Sequence, residues 1–252
     1  MTSFRHFALI GHPLGHSFSK ALFDKAFDGR HDYRLLDIKS IDCLRKVVSE
    51  NDLSGFNVTI PYKVEIMPLL DRLTNEAQEV GAVNCVRVET DGTLTGHNTD
   101  SEAFQKTLDH SQLAGATALI LGTGGAAKAV AAAFGHLGIK YLFVSRNAGS
   151  KSIGQSSDNI ISYEKAYKTV RRQQEAVSII VNATPVGMAP LSGETPWMHP
   201  DLLSEKTIVY DLTYNPSPTR FLSEAEKAGA QVKDGLEMLR LQAYLTWQFW
   251  EI

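Results

Sequence analysis

The chain has 252 residues, of which 43% are hydrophobic and 21% charged, and its formal net charge is −3. Such a composition is typical of a globular protein with one large or two small domains, and it lacks the basic surplus of nucleic-acid-binding proteins. No apolar run approaches the length of a membrane-spanning helix, and residues 1–6 lack the apolar core of a secretory signal. We therefore expect a cytoplasmic protein that binds neither nucleic acid nor membrane.

The cysteines and histidines give no sign of a disulfide framework or a metal site. Cys43 and Cys85 are too few for such a framework. His12 and His16 are four residues apart, but Pro13 and Gly15 prevent them from sharing one helical face.

The first hundred residues alternate between strand and helix patterns, which predicts a separate α/β domain. Asp91-Gly92, between two apolar runs, is a strong hairpin signal. The predicted strands are 7–10, 33–36, 55–58, 83–88 and 93–96, and the predicted helices are 17–27, 41–48, one that begins near Pro61, and 74–80.

Three loops of this first domain carry polar residues. Ser17 and Ser19 straddle a helix start and could hold a carboxylate, although Ser17 could equally be a simple helix cap. Lys63 follows Thr59 near the carboxyl end of a strand, where open α/β sheets bind ligands, but a single lysine is usually only a surface charge. Asn84 and Asp100 lie in the third pair of loops, and Asp100 taken alone is predicted to be a helix cap.

A glycine-rich turn follows the apolar strand 118–121. Gly122, Gly124 and Ala127 match G-x-G-x-x-[G/A], an alanine-rich helix then runs to Gly138, and a second strand covers 141–144. This βαβ unit predicts a dinucleotide site, with the pyrophosphate at the helix start. A purely structural turn or a methyl-donor nucleotide site are the alternatives.

The end of the second strand of this unit indicates which dinucleotide binds. Sites for an unphosphorylated ribose usually have Asp or Glu there, but this chain has Ser145-Arg146-Asn147, with Lys151 beyond. A guanidinium in place of a carboxylate suits a 2′-phosphate, so we predict NADP rather than NAD; a solvated surface arginine is the simpler alternative.

The second half continues the sheet and ends in a helix. Strands are predicted at 177–181, 208–210 and 230–232, and residues 148–159 are predicted to form a surface loop. Met238, Leu241, Leu245 and Phe249 recur at helical spacing with Trp247 and Trp250 beside them, so we expect this tail helix to pack on the first domain. The predicted fold is therefore α/β with two domains: 1–101 with 236–252, and a doubly wound, Rossmann-type domain over 102–235.

Taken together, the loops resemble those of the shikimate dehydrogenase family, whose motifs occur here in order along nearly the whole chain. The matching segments are GHPLGHSFS (11–19), GFNVTIPYK (55–63), GAVN (81–84), GHNTD (96–100), GTGGAAKA (122–129), VNATPVGM (181–188), YDLTYNP (210–216) and GLEML (235–239), with Gln242 in the last helix.

The resemblance implies NADPH-dependent reduction of 3-dehydroshikimate to shikimate, in aromatic amino-acid biosynthesis. It implies that Lys63 and Asp100 are the catalytic pair. The implied substrate ligands are Ser17, Ser19 and Tyr214 for the carboxylate and Thr59, Asn84 and Gln242, with the catalytic pair, for the ring hydroxyls. The implied cofactor ligands are Gly122, Thr123, Gly124, Gly125, Ala126, Ser145, Arg146, Asn147, Thr184, Leu212 and Gly235.

The sequence also departs from the family pattern. Ser101 follows the NTD motif where glycine is common, and the second arginine of the cofactor loop is replaced at best by Lys151. Around Asn75, where some members contact the cofactor, no acidic match is found. The alternatives are a quinate or NAD-dependent relative and a non-catalytic metabolite sensor, and a monomer and a homodimer remain equally open.

Overall fold

The computed structural model describes residues 4–15, 17–109, 111, 113, 115–148, 159–172 and 177–252. The chain divides into two compact units, Met1–Ala103 with Arg240–Ile252, and Phe104–Leu239. The predicted α/β class with a parallel second sheet is confirmed. No helix in the described ranges is long and apolar enough to cross a membrane.

The first unit is built on a mixed sheet whose described strands run in the order β2-β1-β3-β5-β6-β4. The first three strands are parallel, and β5 and β6 form the antiparallel hairpin predicted around Asp91-Gly92. Its elements are β1 (His6–Gly11), α1 (Phe18–Phe27), β2 (Asp32–Asp37), α2 (Leu44–Glu50), β3 (Leu53–Val58), β4 (Arg72–Leu73), α3 (Asn75–Val80), β5 (Cys85–Val88) and β6 (Leu94–His97), with 3₁₀ turns at Ile41–Cys43 and Met67–Leu69.

Successive side chains of β1 point to opposite faces of the sheet, and both faces are buried. Phe7 and Leu9 pack with Trp250 on one face, and Ala8 and Ile10 join the core on the other. The strand therefore appears in the sequence as a continuous apolar run.

The tail helix α8 (Leu236–Phe249) contributes its last turns to this unit. Trp250 stacks on Phe7, with ring centroids 4.5 Å apart, and its Nε1 donates to the Val86 carbonyl at 2.9 Å. Three residues of the expected stripe, Leu241, Leu245 and Phe249, are only half-buried, whereas Thr246 is fully buried.

The second unit is a parallel sheet in the order β12-β11-β10-β7-β8-β9 across the described strands. This is the doubly wound order, with the reversal between β7 and β10. Its elements are α4 (Asp100–Lys106), which begins in the first unit, β7 (Thr117–Leu121), α5 (Gly125–His136), β8 (Lys140–Val144), β9 (Ile160–Ile161), α6 (Tyr163–Arg172), β10 (Val177–Asn182), β11 (Ile208–Asp211), α7 (Arg220–Lys227) and β12 (Gln231–Lys233), with a 3₁₀ turn at Pro200–Leu202. Most of the predicted 148–159 loop lies outside the described residues.

The helix predicted near Pro61 is wrong. The carbonyl of Lys63 accepts from Val83 N at 2.7 Å, and Met67 N donates to Val64 O rather than to Lys63 O. Residues 60–66 consequently form successive turns. A tertiary hydrogen bond has overridden the local pattern.

Candidate active site

The centre of the site in the first unit is an ion pair. Lys63 Nζ lies 2.6 Å from Asp100 Oδ2, and the two side chains are only 17% and 6% exposed. Because water is largely excluded, the attraction between the charges is screened less than on the surface. The pair is therefore a fixed feature of the site.

Asp100 is held at the start of α4 by Asn98. The Asn98 side-chain oxygen accepts from the backbone N–H groups of Asp100 (3.1 Å) and Ser101 (3.2 Å), and its nitrogen donates to Ala82 O at 2.9 Å. The expectation that Asp100 itself caps the helix is wrong: Asn98 does so, which leaves the Asp100 carboxylate for Lys63.

Asn84 binds the other oxygen of the same carboxylate. Its Oδ1 accepts from Thr99 N at 2.9 Å, which fixes the orientation of the amide, and its Nδ2 donates to Asp100 Oδ1 at 2.9 Å. Nδ2 is also 3.5 Å from Gln242 Oε1. The structure thus brings together four of the residues singled out in the sequence, namely Lys63, Asn84, Asp100 and Gln242.

Ser17, Ser19 and Thr59 belong to separate sets of contacts. Ser17 Oγ accepts from Ser19 N at 3.2 Å as the cap of α1, so the simple capping role is present, whatever else the hydroxyl binds. Thr59 N donates to Ile10 O at 2.9 Å, which ties the end of β3 to β1. The three side chains are half-buried.

The loop before Ser17 is braced by Asp37 at the end of β2. Its carboxylate lies 2.6 Å from His12 Nδ1 and accepts from Leu14 N at 2.9 Å. These hydrogen bonds, first that of His12, hold the pKa of Asp37 below its usual value. His16 lies outside the described residues.

In the second unit, the glycine turn joins β7 to α5. Gly122 has φ +106°, a conformation that L side chains rarely adopt, and its N–H bonds Val144 O at 2.9 Å. Gly124 is exposed and caps α5 without a side chain, and Gly125 and Ala126 form the first residues of the helix. Gly124 has open space where a β-carbon would be, so a phosphate could approach the helix start closely.

Two buried side chains organise the neighbouring loops. Asn182 Oδ1 accepts from both N and Oγ1 of Thr184, at 3.0 and 2.7 Å, and its Nδ2 donates to Asp211 Oδ1 at 2.9 Å. Leu212 N donates to Asn182 O at 3.0 Å. These bonds fix Thr184 and Leu212 at the carboxyl ends of β10 and β11, and of these two strands β10 borders the switch point of the sheet.

Asp211 is a fully buried carboxylate. It accepts from Thr213 N at 2.9 Å and from Thr219 Oγ1 at 2.7 Å, besides Asn182. Burial nevertheless outweighs these hydrogen bonds and raises the pKa of Asp211.

At the end of β8, Arg146 is exposed, and Ser145 Oγ accepts from Asn147 N at 3.2 Å. Arg146 is near enough to Tyr163, the first residue of α6, to act on its phenol. Burial raises the pKa of Tyr163 to about 12, and the nearby guanidinium offsets part of that rise. Lys151 lies outside the described residues. Tyr214 is half-buried in the second unit, and burial raises its pKa.

The loops of the second unit fit a phosphorylated dinucleotide: an open glycine turn, a helix start without a side-chain cap and an exposed arginine at the end of β8. Among the described residues, no group of three His, Cys, Asp or Glu side chains could hold a metal ion.

Sequence reasoning missed the supporting residues Asn98, Thr99, Asn182 and Asp211. Each lies in the loop after a strand or at its last position, where the carboxyl ends of strands face ligands. An Asn or Asp at a strand end was the available signal.

Comparison with known proteins gives consistent results. A family model described as the shikimate dehydrogenase substrate binding domain matches residues 9–86. The chain is 35% identical over 257 residues to the shikimate dehydrogenase (NADP(+)) of Dehalococcoides mccartyi, a match that covers 97% of this chain and 89% of that protein.

Solved structures extend the similarity over both units. Shikimate dehydrogenase 1 from Peptoclostridium difficile matches with a TM-score of 0.87 and 33% identity, over 98% of this chain and 92% of that one. Shikimate 5-dehydrogenase from Thermus thermophilus, solved in complex with NADP(H) and shikimate, matches with a TM-score of 0.80 and 31% identity, over 98% and 93% of the two chains.

Proposed function

The chain belongs to the shikimate dehydrogenase family, and from that premise we propose that Lys63 and Asp100 transfer the proton in its reaction. The enzyme is an oxidoreductase that reduces 3-dehydroshikimate to shikimate with NADPH, in aromatic amino-acid biosynthesis. The observation that carries the assignment of the pair is the 2.6 Å contact between Lys63 Nζ and Asp100 Oδ2.

The reduction requires a proton donor beside the carbonyl oxygen of the substrate. NADPH, when bound, supplies a hydride to that carbon. The carbonyl oxygen then becomes an alkoxide and must receive a proton, which the Lys63 ammonium can donate. Asp100 accepts a hydrogen bond from Lys63 and keeps the ammonium oriented, while Asn84 holds the second carboxylate oxygen. In the oxidation direction, the neutral Lys63 amine takes the proton back.

The substrate is held by hydroxyl, amide and phenol groups. Ser17 and Ser19 lie at the start of α1, where unpaired N–H groups and hydroxyls suit a carboxylate, and Tyr214 assists them. Thr59, Asn84 and Gln242, with the catalytic pair, bind the ring hydroxyls. In this proposal the substrate ligands other than Tyr214 belong to the first unit, and the cofactor ligands belong to the second.

The cofactor is held by three sets of loops. Gly122 to Ala126 hold the pyrophosphate, and Ser145, Arg146 and Asn147 hold the adenosine phosphate. Thr184 and Leu212 are further cofactor ligands, and Gly235 lies by the nicotinamide. Arg146→Ala should weaken NADP⁺ binding at least about tenfold while changing NAD⁺ binding little, because a guanidinium–phosphate pair is charge-assisted. Equal losses for the two cofactors would contradict this role of Arg146.

One assay tests the function as a whole. Initial rates of reduction of NADP⁺ and of NAD⁺ are measured with shikimate and with quinate, in four combinations. We expect the highest kcat/KM for shikimate with NADP⁺. A preference for quinate or NAD⁺ would show that the enzyme is instead a quinate or NAD-dependent relative. No turnover with any pair would overturn the proposal.

The binding partners, oligomeric state and cellular location of the enzyme belong to the same proposal. The partners are small molecules, and the protein is a monomer or a homodimer. Cys43 and Cys85 are free thiols, as is usual in a reducing compartment, which supports a cytoplasmic location.

A further inference from the structure

A fully buried hydroxyl connects the tail helix to the catalytic carboxylate. Thr246 lies one turn after Gln242 in α8 and is 0% exposed, so it cannot contact the substrate. Its Oγ1 is 3.3 Å from Thr99 Oγ1 and 3.4 Å from Asn57 Nδ2.

Thr99 transmits this anchorage to the site. Its backbone N–H donates to Asn84 Oδ1 at 2.9 Å, and its Oγ1 accepts from Asn84 Nδ2 at 2.8 Å. The same Oγ1 is 3.2 Å from the Gln242 carbonyl. Thr99 thus fixes both ends of the Asn84 amide, and Asn84 in turn donates to Asp100 Oδ1 at 2.9 Å.

Asn57 supports the chain from β3. Its Oδ1 accepts from the Tyr33 hydroxyl at 2.9 Å, which leaves its Nδ2 to donate to Asn84 O (3.2 Å) and to Thr246 Oγ1 (3.4 Å). Loss of the Thr246 hydroxyl would leave one N–H of Asn57 Nδ2 without its acceptor and would remove one of the three contacts of Thr99 Oγ1. Buried polar groups that lose a partner shift to recover one, so the Asn84 amide would move with them.

We propose that Thr246 is a positioning residue for the reaction: its hydroxyl, acting through Thr99 and Asn84, holds the Asp100 carboxylate in register with Lys63. The proposal rests on the function assigned above. It explains why a polar side chain stands at a fully buried position between Ala243 and Trp250, which are also buried.

The test compares Thr246→Val, which keeps the shape and removes the hydroxyl, with Thr246→Ser, which keeps the hydroxyl. For shikimate oxidation we expect kcat to fall about three- to tenfold in the valine variant, the effect of one buried hydrogen bond, and to be restored within about twofold in the serine variant. The dissociation constant for NADP⁺ should stay within about twofold. If the valine variant does not fold, Thr246→Ala replaces it with the same expected loss of kcat.

Thr107→Val is the matched control. Thr107 is also buried and its hydroxyl bonds Phe104 O (2.6 Å) and the Tyr210 hydroxyl (3.0 Å), but it lies in the second unit. We expect it to lower the melting temperature and leave kcat unchanged. An equal loss of kcat in both valine variants would show a general effect of destabilisation and would overturn the proposal.

A double-mutant cycle with Asn84→Ala tests the route of the effect. If Thr246 acts through Asn84, Thr246→Val should lower kcat by less than about twofold in the Asn84→Ala background. If the two substitutions lower kcat independently, so that the double variant shows the product of the two single losses, the proposal is overturned. A wild-type enzyme inactive on shikimate would instead refute the proposed function, whereas an active wild type with an unaffected Thr246→Val variant would refute only the role of Thr246.

Discussion

Gly235 packs against the backbone of Leu212 so closely that a β-carbon on residue 235 would overlap the Leu212 carbonyl group. Gly235 N also donates to Thr213 O at 3.2 Å, and Gly235 O accepts from Leu239 N at 2.9 Å, so the chain cannot move away without losing hydrogen bonds. The loop after β11 and the start of α8 are therefore in contact only because residue 235 has no side chain.

Gly235→Ala should consequently damage both stability and cofactor binding. We expect the free energy of unfolding to fall by about 1–3 kcal/mol, the range for overpacking. The added β-carbon would meet backbone atoms of Leu212, which cannot move aside as the end of a flexible side chain could. Leu212 should shift, and NADP⁺ binding, followed by fluorescence titration, should weaken.

Gly135→Ala is the control for this substitution. Gly135 lies in α5, and nothing stands within 4 Å of an added β-carbon. Alanine there should stabilise the protein by about 0.5–1 kcal/mol, since glycine is unfavourable in a helix. If denaturant unfolding shows Gly235→Ala to be as harmless as Gly135→Ala, the close approach to Leu212 is not as described.

Ser101 offers a second prediction, at the position where the family commonly has glycine. Its Oγ is buried and has no hydrogen-bond partner among the described residues. Ser101→Ala should raise the free energy of unfolding by about 1 kcal/mol, because it removes an unpaired hydroxyl and improves helix propensity. Ser223→Ala, which removes a hydroxyl bonded to Thr219 O at 3.0 Å, should not stabilise. A loss of stability in Ser101→Ala would contradict the expectation.

Asp211 should make stability depend on pH in the sense opposite to most carboxylates. Because burial raises its pKa, the folded state binds the proton more tightly than the unfolded state, where the pKa is about 3.9. Its contribution is therefore most favourable at low pH and is lost as pH rises through the folded pKa. The stability of Asp211→Asn relative to wild type should increase from pH 4 to 7.

Asp91 should make stability depend on pH in the direction opposite to Asp211. Hydrogen bonds from the Thr93 side chain and backbone lower the pKa of Asp91, so its contribution is present above the unfolded pKa and is lost on acidification. Relative to wild type, Asp91→Asn should therefore lose stability as pH rises from 3 to 6. For each variant, the free energy of unfolding relative to wild type is measured between pH 3 and 7. This difference should rise with pH for Asp211→Asn and fall with pH for Asp91→Asn. A change in the same direction for both variants would refute the assignment for Asp211.

The strands and the hairpin were predictable because their signals are local. The apolar runs at β1 and β7 and Asp91-Gly92 between β5 and β6 determine their structure within a few residues. Lys63 and Asp100 were proposed as the catalytic pair from the order of the motifs, which carries information that no single loop contains.

The remaining features depend on contacts distant in sequence. The bond from Val83 N to Lys63 O prevents the helix expected near Pro61, and no pattern in that segment reveals it. Helices α6 and α7 are exceptions: both are strongly amphipathic, a local signal that the prediction overlooked. Thr246 was passed over because the apolar residues around it suggested an ordinary core stripe, and its partner Thr99 is 147 positions away.

The most direct test of the account is kcat for shikimate oxidation by Lys63→Ala, with folding and NADP⁺ binding verified in the same preparation. Removal of the proton-transfer group should lower kcat by about 10² or more, since general acid–base catalysis contributes that much. Turnover close to that of the wild type in a folded variant that binds NADP⁺ would contradict the central claim.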